Sequence, residues 1–76
     1  MMNKKIELEL NKIGFVYSHP RDFYDVMFND KREKLEVVYS RNVNIYDRLI
    51  YKSITYKTIS DLNIHIREEK FKELFW

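Results

Sequence analysis

The side chains with the widest chemical repertoire in this sequence are two histidines, His19 and His65. An imidazole can ligate a metal or move a proton near neutral pH. A zinc-type site needs three or four ligands at one point, and the chain has no cysteine to supply a thiolate. The two histidines share no ligand spacing, so we assign no metal site. Ser18, His19 and Asp22 supply the residue types of a nucleophile, a base and an orienting acid, with Arg21 among them. Sequence neighbours rarely converge into such a triad, and His19-Pro20-Arg21-Asp22 reads more simply as a turn that ends the short apolar stretch Phe15 to Ser18. We therefore assign no catalytic residue.

Gly14 is the only glycine. The Rossmann and Walker phosphate loops need several glycines to bring backbone N–H groups against phosphates, so those motifs are excluded and no cofactor is expected. Between Arg41 and Lys57, cations and rings interleave: Arg41, Tyr46, Arg48, Tyr51, Lys52, Tyr56 and Lys57. Cations neutralise phosphates while rings stack on bases, which makes Arg41, Arg48, Lys52 and Lys57 the candidate nucleic-acid contacts. The chain then closes on Phe71, Leu74, Phe75 and Trp76. Chain ends are usually polar and frayed, so an apolar end should dock on the fold or meet a partner. Tyr and Trp are frequent hot spots, and Tyr46, Tyr51, Tyr56, Phe75 and Trp76 are the expected partner-binding residues. Asp22, Asp25, Asp30, Glu33 and Glu36 give the middle of the chain an acidic lean. Lys31, Arg32 and Lys34 interrupt it, as on a solvated face.

These residues must be positioned by a small fold. With 76 residues, the chain is expected to form a single domain over 1–76. A domain of this size buries only about 60% of the surface its unfolded chain exposes, and no disulfide can staple it. The composition still favours folding: 45% of residues are hydrophobic and 16% aromatic, with one Gly and one Pro. A net charge of +2 is too small to demand an anionic partner. No run of about 18 apolar residues exists to span a membrane. Ile6 to Leu10 is too charged for a signal-peptide core, and with no cysteine the cytoplasm is the expected compartment. Richness in Asn, Lys, Ile and Tyr suggests an AT-rich coding sequence, as in a low-GC bacterium, its phage or a mobile element.

Met2, Ile6, Leu10 and Ile13 form a helical stripe behind an Asn3 cap, and Gly14 at C′ should end that helix in a Schellman turn. Tyr24, Val26 and Phe28 alternate with polar neighbours, as do Leu35, Val37 and Tyr39. They predict a hairpin with those six residues facing inward. Val43 to Thr58 is β-branched and aromatic, and we expect one bent strand or two, with a break near Asp47-Arg48. Ser60 can cap a final helix, with Ile59 stapled onto Ile64. Leu62 and Ile66 fall opposite Ile64, Phe71 and Phe75 on a helical wheel. Such a helix is apolar on two sides; otherwise residues 61–66 form a strand before a shorter helix. The expected fold is α+β: an antiparallel sheet of three to four strands with an N-terminal and a C-terminal helix packed on one face.

Leu10-Asn11-Lys12-Ile13-Gly14-Phe15-Val16 resembles the end of the first helix in HicA-type toxins, small RNA-cleaving proteins with an α-β-β-β-α fold that use one histidine. The resemblance implies a Gly-Ser-His element mapped onto Ser18-His19. Tyr17 stands at the glycine position and the strand spacing differs, so membership is not inferred. The sequence favours a non-enzymatic protein-interaction module, for example a phage or mobile-element protein that inhibits or regulates a host complex, with self-association also expected. A nucleic-acid-binding domain is the alternative, and an RNA-cleaving toxin a distant one.

Overall fold

The computed structural model describes residues 2–40 and 45–75, with Phe75 described by its backbone alone. Among these residues the chain runs α1 (Lys4–Lys12), β1 (Val16–Pro20), β2 (Tyr24–Phe28), β3 (Lys34–Tyr39), β4 (Tyr46–Tyr51), β5 (Ile54–Tyr56) and α2 (Ile59–Phe75). The strands form one antiparallel meander in the order β1-β2-β3-β4-β5. The fold is α+β, with five strands where the sequence suggested three or four.

Helix α1 starts where Asn3 Oδ1 accepts the Lys5 and Ile6 N–H groups at 2.9 and 3.1 Å. It ends at Gly14, whose φ is +102°. The Gly14 N–H donates to the Asn11 carbonyl and the Phe15 N–H to the Leu10 carbonyl, at 3.1 and 3.0 Å. That is the Schellman pattern, and it turns Phe15 into the core, where it is fully buried. Met2, Ile6 and Leu10 of the predicted stripe are buried, and Ile13 packs partly against them.

Helix α2 runs unbroken through residues 61–66, which settles the helix-or-strand alternative. Thr58 caps it, two residues before the expected Ser60: its Oγ1 accepts the Asp61 N–H at 3.0 Å. Leu62 and Ile66 are buried while Ile64 is 52% exposed, so Ile59 has no buried staple partner there. One core joins Met2, Ile6 and Leu10, Leu62 and Ile66 of α2, and the sheet residues Met27, Leu35, Val37, Leu49, Tyr51 and Tyr56. Both helices therefore cover the same face of the sheet.

Two turns correct the sequence reading. Strand β4 continues through Asp47-Arg48 with a register shift there, Arg48 opposing Val38 and Tyr46 opposing Tyr39; the chain reverses at Lys52-Ser53. Both residues have positive φ, +52° and +65°, the signature of a type I′ hairpin turn without the glycine or asparagine that usually marks it. In the β2–β3 connection, Asn29 Oδ1 accepts from the Lys31 and Glu33 N–H groups, and the Asn29 carbonyl accepts from Arg32. Arg32 has φ +62°, a left-handed position after a tight turn. The resulting register opposes Met27 to Leu35 and Asp25 to Val37. Leu35, Val37 and Tyr39 face the core as expected, but Tyr24, Val26 and Phe28 face the other side. Asp25 takes an inward position and is 5% exposed, so it does not belong to a solvated acidic face. An acid at an inward position is rare, which is why alternation alone turned β2 the wrong way.

Candidate functional site

The tyrosines of the Arg41–Lys57 stretch are fastened to the body of the fold. Tyr51 is 3% exposed; its ring meets Phe15 edge-on at 5.5 Å, and its hydroxyl donates to Glu33 Oε1 at 3.0 Å. Tyr56 is buried, with its hydroxyl 2.5 Å from His65 Nδ1. Half-buried Tyr46 accepts the Ile59 N–H on its hydroxyl at 3.0 Å. These three rings share the helix-covered face, because the register sets Tyr51 opposite Leu35, Tyr56 opposite Leu49 and, through a shift at Asp47, Tyr46 opposite Tyr39. The Phe75 side chain and Trp76, the other expected contacts, lie outside the described residues, as does Arg41.

The remaining cations of that stretch do not converge. Lys52 bridges Glu33 at 2.9 Å and Glu69 at 2.7 Å. Its hydrogen bonds to Glu69 and then Glu33 hold the ammonium above the ordinary lysine range. Arg48 pairs with its neighbour Asp47 at 2.6 Å. Lys57 lines a cleft with Lys5, Ile6, Glu9, Ile45 and Tyr46, at the foot of α1.

Around Lys52 lies a polar network. Glu33 accepts from Lys52, from Asn29 Nδ2 at 2.9 Å and from Tyr51. These donors, Lys52 first, hold its carboxyl at about 2. Burial, and then the bond to Glu33, pushes the Tyr51 phenol up to about 12. Glu69 bridges Lys52 and stands 3.4 Å from His65 Nε2, whose other nitrogen meets Tyr56. A carboxylate, an imidazole and a phenol in series are the parts of a proton relay. Here each has its partner within the network, and the chain of contacts straps α2 to the β2–β3 and β4–β5 turns. Elsewhere in the core, burial and then Asp25 raise the Tyr39 phenol.

The face of the sheet away from the helices is the feature that sequence reasoning missed. The register places Val16 opposite Phe28, His19 opposite Val26, Val26 opposite Glu36, Glu36 opposite Ile50, and Tyr24 opposite Val38. Val16, Tyr24, Val26, Phe28, Val38 and Ile50 thus share one face. No described helix lies over it, yet Val26 and Val38 are buried. Val16 is 67% exposed. At one end, His19, Arg21, Tyr24, Val26, Phe28 and Lys34 line an open cleft of about 360 Å³. Nδ1 of its lining residue His19 lies 2.8 Å from Ser18 Oγ. Lys34 leans toward Glu36 at 3.2 Å. The signal for this face was present in Tyr24, Val26, Phe28 and Val38, but the one-residue frame set by Arg32 decides which side they occupy.

The sheet edges are poor templates for an added strand. Edge strand β1 carries a register shift between Tyr17 and His19 and ends on Pro20, while β5 is three residues long. Bulges, prolines and short strands are the devices that block edge pairing. Helix α2 exposes Ile64, Phe71 and Leu74, but Arg67 and Glu68 lie between Ile64 and the other two. Among the described residues no group of three metal-ligating side chains is close enough to hold an ion, and no helix is long and apolar enough to cross a membrane. No protein-family model, no curated protein and no solved structure matches this chain.

Proposed function

We propose that this chain is a protein-interaction module that acts by docking the outer face of its sheet onto a partner, rather than by chemistry of its own. One observation carries the reading: Val16, Tyr24, Val26, Phe28, Val38 and Ile50, from four strands, share with Lys34, Glu36 and Arg48 a face that no described helix covers. A half-buried antiparallel sheet normally turns polar residues to its open side. Contiguous apolar patches on a small soluble domain mark interaction sites. The blunted edges favour contact through this face over strand addition.

Affinity capture with the tagged chain, from lysate of cells that carry the gene, tests this. Wild type is compared with Phe28→Glu and Ile50→Glu, and with Ile64→Ala on α2 as control. A stoichiometric protein lost with both outer-face variants and kept by the control supports the proposal. A partner indifferent to both variants, or no partner from a chain that stays monomeric, refutes it. Low-salt gel shifts with single- and double-stranded DNA and RNA form a second arm. Nucleic-acid binding that Arg48→Ala and Lys52→Ala weaken for all sequences alike would replace it.

A further inference from the structure

Resting on that reading, we infer that the cleft lined by His19, Arg21, Tyr24, Val26, Phe28 and Lys34 is the anchor point of the interface. Its occupant is a partner segment that carries a bulky apolar side chain next to one or more carboxylates. The cleft is asymmetric in chemistry. Its floor is Val26, opposite His19 on one side and Glu36 on the other, and its walls include the half-buried rings of Tyr24 and Phe28. Its rim carries Arg21, Lys34 and His19, and no carboxylate lines it. Its volume of about 360 Å³ lies at the low end of the range of small-molecule sites.

Arg21 is the group that selects the charge. Its backbone N–H donates to the Tyr24 carbonyl at 2.7 Å, closing the β1–β2 turn and fixing the residue at the cleft mouth. No ion pair joins its guanidinium to another described residue. Lys34, the lysine of the same cleft, does have a carboxylate partner. A guanidinium presents a planar fork of donors that matches a carboxylate two bonds at a time. Lys34, 3.2 Å from Glu36, can exchange that contact for a second carboxylate.

The wider face argues for a compact acidic segment over a nucleic-acid strand. Glu36 sits beside Val26 on the same face, and Asp47 neighbours Arg48. Paired with Lys34 and Arg48, these acids leave no excess positive charge beyond the cleft for a track of phosphates, whereas a single apolar anchor with adjacent carboxylates stays within the cationic rim.

The test uses the full chain and an array of short peptides that place Trp, Phe or Leu beside Asp or Glu. Matched peptides carry Lys in place of the acids, and a third set lacks the large apolar residue. Selective binding of the acidic apolar set is expected, weakening as salt rises. Arg21→Ala should reduce that binding about tenfold, the scale of one charge-assisted hydrogen-bonded contact. Arg21→Glu should shift preference toward the Lys set. Circular dichroism of each variant separates loss of binding from loss of fold. Equal binding of acidic and basic sets, binding without the apolar residue, or binding indifferent to Arg21→Ala overturns the inference. So does displacement of the peptides by oligonucleotides at lower concentration than by free acidic peptide. A partner captured through Ile50 and Phe28 with no acidic selectivity would sink this inference alone. Failure of both outer-face variants to affect capture would sink the underlying reading as well.

Discussion

Replacing Glu33 by Gln measures how much the polar strap contributes to stability. In the fold, the Glu33 carboxylate accepts from Lys52 at 2.9 Å, Asn29 at 2.9 Å and Tyr51 at 3.0 Å. These contacts lower its pKa from 4.5 to about 2. At about 1.4 kcal/mol per pKa unit, the full shift corresponds to roughly 3 kcal/mol. The side chains of Glu33 and Lys52 remain 28% and 42% exposed, so solvent screening reduces that to about 1–2 kcal/mol. For a domain of this size the loss lowers Tm by about 5–15 °C. The pH dependence follows from the direction of the shift. A carboxyl whose pKa is lower in the fold stabilises fully above its unfolded value of 4.5, and its contribution fades as pH falls through about 2. Thermal unfolding followed by circular dichroism, from neutral pH into acid, should therefore show a wide gap between wild type and Glu33→Gln that narrows below pH 4.5. An unchanged Tm at neutral pH, or a gap that persists undiminished at pH 2, would refute the reasoning.

Arg32 is an L-residue held at φ +62°, so Arg32→Gly should stabilise the domain by about 0.5–1 kcal/mol, read from urea unfolding; a loss would mean its side chain contributes more than its backbone costs. Leu62→Ala should cost about 2–5 kcal/mol because Leu62 is fully buried, while Ile64→Ala, two positions on, should stay within about 0.5 kcal/mol. Equal costs in the same titration would mean that the buried face of α2 is assigned wrongly.

Local signals proved readable wherever one residue type carries one conformation. Asn3 offers a side-chain acceptor to free N–H groups, and Gly14 alone tolerates φ +102° without a side-chain penalty, so the limits of α1 could be read directly. The alternation in Leu35, Val37 and Tyr39 likewise identified both a strand and its inner face. The strand count was harder: the uncounted strand is β1, which runs to Pro20 at an edge of the sheet, and the turn at Lys52-Ser53 uses left-handed residues that carry no turn signature of their own.

The candidate site was less legible than the fold. Interleaving with cations could not say which tyrosines face the core; Glu33 and His65 meet the Tyr51 and Tyr56 hydroxyls, and that pairing joins elements far apart in sequence. Ser18, His19, Arg21, Lys34 and the Tyr24-Val26-Phe28 series were all visible as residue types. What assembled them was the register of β2. A strand has two faces and a period of two, so a slip of one residue exchanges every side chain between core and surface. Arg32, held in a left-handed turn by contacts to Asn29, sets that frame. Sequence alone therefore determined the kinds of element, the limits of α1 and the absence of glycine-rich phosphate loops and thiolate sites. Only tertiary structure decided that Asp25 would be buried, that three tyrosines would serve the core, and that Tyr24, Val26 and Phe28 would face outward beside a cationic cleft. The physical reason is that periodicity is a local property, whereas which face meets the helices is decided by turns and partners across the whole sheet.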